Sequence, residues 1–298
     1  MVVQSKLTAT PADILYILLG ILPDFTDLGA LILTHRCFYE VFAAGKHTLL
    51  NAVGRNFLGC CFNEAVSLAI EQPAPKSKSS QGTIEPGTSP KICVRSSIVS
   101  QLIENERVLR TLEPLVYGMM KVKKGIPYIA DPAGLAQLKS FPRTAKPSAT
   151  ESERLMTAGY RLWRFTLLQK EKAQKAFLKK FSSIELIELH HFVDKLRDLT
   201  WSMWGPSDGD TDYYCIQGLS STNPQNILRL WTTVLDGTFD EDDFKEYAME
   251  YDDEGYFSYV LGDVLEKRKL DDGLLWDFKP ILDGEQEKAV RKLSAGRK

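Results

Sequence analysis

The sequence predicts an all-α fold, and three observations carry that expectation. Apolar residues recur at three- and four-residue steps through most of the long segments. Helix-start signals stand in front of several of those segments. No run alternates apolar and polar residues convincingly enough for a strand, and no unit repeats at a fixed period. The expected organisation is a short helical module over 1–70, a flexible Pro/Ser-rich linker over 71–91, and a larger irregular helical region over 92–298.

The first helix is expected at ADILYILLGIL (12–22), with Thr10 as its N-cap, Pro11 at its first position and Asp13 in its first turn. Asp24 can cap a second helix beginning near Phe25. A third is expected from Thr34 through Phe42, and a further apolar run extends from Thr48 to Leu58. EQPAPKSKSSQGTIEPGTSP (71–90) contains four prolines and almost no apolar residue. It buries too little surface to offset its ordering entropy, so it reads as a linker.

IVSQLIENERVLRTLEPLVYGMMKV (98–122) places Leu102, Val108 or Leu109, Leu112, Leu115 and Met119 at helical spacing, with Pro114 expected to break or kink it. FPRTAKPSA (141–149) reads as a loop, and Thr150 with Glu153 has the spacing of a capping box. In the helix it opens, Leu155, Leu162 and Phe165, flanked by Tyr160, Trp163 and Leu167, form a surface broad enough to be buried on most sides. Ser182 and Glu185 repeat the capping box before a helix ending near Trp204, whose stripe is Leu189, Phe192, Val193, Leu196, Leu199 and Met203. GPSDGDTDYY (205–214) reads as a loop, Asn223-Pro224 starts NILRLWTTVL, and shorter helical pieces follow.

Bulk properties narrow the function classes. The 298 residues fit one large domain or two smaller ones. Thirty-seven basic and 39 acidic residues give a net charge of −2, so no global basic field draws in nucleic acid or anionic lipid. The apolar run at 12–22 is too short to span a bilayer, which takes about 20 residues. Asp13 interrupts its start and no small-residue cleavage pattern follows it, so it does not read as a secretory signal. Five unevenly spaced cysteines (37, 60, 61, 93 and 215) suggest neither a disulfide framework nor a paired metal site. Together these features imply an intracellular protein of the cytoplasm or nucleus, without membrane or nucleic-acid partners.

The first helix raises the functional question. Pro11, Ile14, Leu15, Leu18 and Leu22 fall on one face, and Leu19 widens it. A short three-helix unit has room inside for only part of so wide a face. The surplus is expected outside, as a protein-binding patch.

The pattern P-x-D-I-L-x-x-L-L-x-x-L, continued by D-L-x-x-L-x-x-T-x-R-x-F, resembles the F-box over residues 10–50. Family members dock through this module on the adaptor subunit of SCF-type cullin-RING ubiquitin ligases. Thr10 stands where the family usually carries leucine, and His35 where cysteine or a small apolar residue is common. ERLMTAGYRLW (153–163) and SSIELIELHHFVDKLRDLTWSMWG (182–205) are similar to segments of fungal F-box-like proteins with a helical C-terminal region. The resemblance implies a substrate receptor joining an unidentified target protein to the adaptor and cullin complex. It assigns Pro11, Ile14, Leu15, Leu18, Leu22, Leu28 and Leu31 to the adaptor-facing or module-core set, and Arg36 and Phe38 to steadying the third helix. The alternative is a non-catalytic helical scaffold that does not dock on the ligase.

Catalytic and metal signatures are weak. DGDTD (208–212) begins like a calcium loop, but Tyr213 and Leu219 stand where glycine and glutamate are needed. His190 and His191 are adjacent, point about 100° apart on a helix, and cannot act as an i, i+4 ligand pair. They are expected on the polar side of their helix, near Asp194, Arg197 and Asp198. Cys60 and Cys61 read as packing residues. FDEDDFKEYAMEYDDE (239–254) reads as a solvated helical face. No phosphate-binding or nucleophile-elbow motif occurs, so a non-catalytic protein without a cofactor is expected. An all-helical enzyme site using His190, Asp194 and the 236–254 carboxylates is the rival from a different class.

Overall fold

Helix-start chemistry and apolar spacing build an all-helical chain, with no strand among the described residues. The computed structural model describes residues 10–72, 92–122, 125, 127–129, 131–204, 223–238, 257–268 and 280–295. The segments 73–91, 208–212 and 239–254, read above as linker, loop and acidic face, lie outside the described residues. The chain forms two compact units, Met1–Glu106 and Arg107–Lys298. Residues 92–106 therefore belong with the first unit, whereas the sequence reading began the second at 92.

The first unit is built around one long helix. α1 (Ala12–Gly20) and α2 (Phe25–Thr34) both pack on α3 (Arg36–Leu58), and α4 (Phe62–Glu71) follows a tight turn at Gly59–Cys61. Asp24 caps α2 as expected, its Oδ1 accepting the Asp27 N–H at 2.8 Å. α1 begins one residue later than expected. Pro11 rather than Thr10 is its cap residue, no side chain caps it, and the helix stops at Gly20 instead of 22.

Thr34 ends α2 instead of starting the next helix. The cap of α3 is His35, whose Nδ1 accepts the Cys37 N–H at 3.2 Å. α3 joins the two runs read as separate, 34–42 and 48–58, across a non-helical Gly45 at φ −112° and ψ 17°. A Cβ at Gly45 would stand 2.2 Å from the Tyr16 ring, so glycine lets α1 press its tyrosine onto the kink. Leu15, Leu19, Phe25, Leu28, Phe38, Leu49, Leu50, Val53 and Leu58 form the core here. Phe25 meets Phe57 edge-on at 5.7 Å.

Unit 2 centres on α7 (Ala149–Thr166) and α9 (Ser183–Trp204), which pack on each other. α10 (Pro224–Asp236) lies against both, and α11 (Phe257–Lys267) against α9 and α8 (Glu171–Leu178). The expected stripe on α9 is buried in full, from Leu189 to Met203. So are Leu155, Tyr160, Leu162, Trp163 and Phe165 of α7.

The Ser182–Glu185 box forms, with Glu185 Oε2 accepting the Ser182 N–H at 2.8 Å. Asn223 caps α10 by accepting the Gln225 N–H at 2.7 Å. The other box sits two residues earlier than expected, with Ser148 as cap and Glu151 in place of Glu153. Pro114 does not break α5 (Val99–Lys121), which carries Leu102, Val108, Leu109, Leu112, Leu115 and Met119 inward. The loop read at 141–149 is instead partly the end of α6 (Pro132–Thr144). Asp131 caps α6 through the Ala133 and Gly134 N–H groups, both at 3.2 Å. α12 (Glu285–Ala295) ends the described chain. No helix among the described residues is long and apolar enough to cross a membrane.

Candidate functional site

The site is the outer side of α1. Leu15 and Leu19, four apart, are 3% and 0% exposed and key the helix onto α3. The turn after α1 is tied to the same helix, because Asn56 Nδ2 donates to the Gly20 carbonyl at 3.0 Å and to the Leu22 carbonyl at 2.9 Å. Those contacts fix which side of α1 faces outward. That side carries Ile14, Ile17, Leu18 and Ile21, 48, 57, 42 and 66% exposed. Their spacing is i, i+3, i+4, i+7, a single stripe.

A surface helix ordinarily presents charged or polar residues there. From Ala12 to Leu22, Asp13 is the sole charged residue. The outer side of α1 is therefore a contiguous apolar stripe where charge is ordinarily found. Leu33 at the end of α2 and Tyr39 on α3 are exposed as well, by 84% and 58%.

The structure divides the seven sequence-identified residues. Pro11, Ile14 and Leu18 are exposed, Leu22 and Leu31 are half-buried, and Leu15 and Leu28 are core. Ile17 and Ile21 escaped the sequence reading, which followed the leucine positions of the F-box pattern. Their signal was the spacing itself, continuing Ile14 and Leu18 by three residues on each strand of the stripe. Phe38 is buried, while the exposed Arg36 pairs with Glu40 at 2.7 Å, four residues along the same helix.

Of the rival catalytic set, His190 and Asp194 lie one turn apart on α9, and the Asp194 charge acts on the imidazole. His191 is 4% exposed and His190 is half-buried, contrary to the expected polar face. The reason is that α9 is surrounded, so even its charged residues are half-buried. Asp194 is held there by Arg197 and by Lys195 at 3.0 Å. Burial pushes the His190 imidazole below its ordinary pKa, against the opposing pull of Asp194. The 239–254 carboxylates lie outside the described residues. Among the described residues, no group of three or more His, Cys, Asp or Glu side chains could hold a metal ion. Cys61 is buried and Cys60 exposed, as a boundary pair would be.

No protein-family model, curated protein or solved structure matches the chain.

Proposed function

We propose that the chain is a substrate-receptor subunit that docks through its first helices on the adaptor of an SCF-type cullin-RING ubiquitin ligase. The observation that supports this reading is the exposed apolar stripe Ile14, Ile17, Leu18 and Ile21 on a helix otherwise anchored by Leu15 and Leu19. It agrees with the F-box-like pattern of residues 10–50. In this reading the second unit holds the target protein. The chain contributes no reactive group of its own and acts by proximity, raising the effective concentration of target lysines beside a conjugating enzyme.

The experiment is affinity purification with mass spectrometry. It compares the intact chain with a variant carrying Ile14→Asp, Leu18→Asp and Ile21→Asp. Adaptor and cullin recovered with the first and lost with the second support the proposal. Absence of both from the intact chain's partners leaves the non-catalytic scaffold.

A further inference from the structure

The single tight turn between α3 and α4, Gly59–Cys61, sets two cysteines side by side. Gly59 leaves α3 at φ 54°, a left-handed conformation that glycine adopts at little steric cost. The Phe62 N–H returns to the Gly59 carbonyl and closes the turn. Within it the Cys60 and Cys61 Sγ atoms stand 3.7 Å apart. Cys60 is exposed, whereas Cys61 is 3% exposed beside the equally buried Phe62. One sulfur is therefore open to solvent and the other is held in the wall of the core.

Packing accounts for Cys61 but not for Cys60, because cysteine is among the residues most often buried. The separation of the two sulfurs then discriminates among the things a thiol pair can do. A disulfide is disfavoured. The peptide between the two residues is trans, so their Cα atoms are about 3.8 Å apart, short of the roughly 4.4–6.8 Å that disulfides span. A linear two-coordinate ion with bonds to sulfur of about 2.3 Å would hold its sulfurs about 4.6 Å apart. A centre with bonds of that length at near-tetrahedral angles holds them about 3.8 Å apart. The observed span suits the second geometry.

Structural zinc has that geometry but takes four ligands. Among the described residues, no third His, Cys, Asp or Glu joins the pair as a metal ligand. A soft centre that is satisfied by two sulfurs fits better. Trivalent arsenic is such a centre: it is pyramidal, prefers sulfur to oxygen, and in a monosubstituted arsenical has two positions to exchange.

We propose that Cys60 and Cys61 form a two-thiol binding site for trivalent arsenic. With an arsenical R–As(OH)2, the exposed Cys60 sulfur attacks first, and the Cys61 sulfur completes the chelate from a position already 3.7 Å away. Two As–S bonds form and two As–O bonds break, and each thiol proton leaves with an oxygen as water. Arsenic stays trivalent, so the step needs no oxidant or reductant. The proposal goes beyond adaptor docking and does not rest on it.

The test is binding of phenylarsine oxide to the full chain, reduced and then freed of small thiols, read by intact-protein mass spectrometry. One equivalent is expected to stay bound in about a hundredfold excess of 2-mercaptoethanol and to leave on addition of dithiothreitol, since a dithiol matches the chelate and a monothiol does not. Cys60→Ser is expected to abolish that retention. A Cys37→Ser, Cys93→Ser, Cys215→Ser variant is expected to keep it, because the turn pair is intact. Retention unchanged in Cys60→Ser, release by the monothiol alone, or loss of retention in a triple variant that stays folded by circular dichroism overturns the proposal. So does displacement of the arsenical by equimolar zinc, which assigns the pair to a metal ion instead.

Discussion

Leu15 and Leu18 lie one turn apart on α1, yet Leu15 is 3% exposed and Leu18 is 42% exposed. The first holds the helix to α3; the second faces solvent. Substitution should separate these roles. Leu15→Ala removes buried methyl groups and leaves a cavity, costing about 2–5 kcal/mol. Leu18→Ala should change stability by no more than about 0.5 kcal/mol, as substitutions at solvated positions do. Urea unfolding of the two variants checks this, and equal losses would contradict the assignment.

The Asn56 side chain should matter more than its exposure suggests. It satisfies two carbonyls at the α1–α2 turn, Gly20 and Leu22, from a residue more than thirty positions away. Loss of two such bonds in Asn56→Ala should cost about 1–3 kcal/mol. Hydrogen exchange at residues 20–24 should rise more than exchange in α4. Uniform acceleration across the unit would argue against a local tether.

Gly118 tests the close approach of α5 and α6. Alanine is the better helix former by about 1 kcal/mol, so a gain would follow if space were free. The new Cβ instead meets Phe141 at 2.3 Å near the root of a ring only 5% exposed, where little can yield. Gly118→Ala should destabilise by about 1–3 kcal/mol in thermal or chemical unfolding. A rise in stability would show that the ring relaxes.

Glu188 gives a pH-dependent prediction. Burial raises its carboxyl pKa, against the Gln286 amide that donates to it at 2.8 Å and the charges of Arg154 and Arg161. An acid whose folded pKa is raised takes up protons on folding. Its contribution is therefore full below the ordinary glutamate range and is lost as pH rises through the raised value. Glu188→Gln keeps an acceptor for Gln286 and removes the buried charge. The variant should melt higher than the parent at pH 7, and the gap should close near pH 4. A variant that melts lower at pH 7 would show that the charge is net favourable in place.

The fold was legible wherever one local rule acted alone. Asp24 before Phe25, Asn223-Pro224, and Ser182 with Glu185 each start a helix by chemistry contained within four residues. Rules that compete were harder. Two pairs near the start of α7 have capping-box spacing, Ser148–Glu151 and Thr150–Glu153, and the box formed on Ser148 because Glu151 also accepts from Tyr117 and Asp283, partners distant in sequence. Pro142 looked like a loop residue, yet it occupies the last turn of α6, where the helix was about to end. Asp131-Pro132 is a start signal for that helix, and the sequence analysis assigned no helix there. At α1 the sequence identified an apolar surplus but not its split. Which leucines turn inward depends on α3 and on the Asn56 tether, and neither is visible in the spacing of α1 itself.

The exposed stripe of α1 as a docking face for the ligase adaptor is the central claim, and direct titration of purified adaptor subunit into the intact chain tests it. The account predicts saturable binding that Leu18→Asp weakens by several kcal/mol, about a hundredfold or more, while circular dichroism stays unchanged. No binding by the intact chain, or equal binding by a folded Leu18→Asp variant, would contradict it.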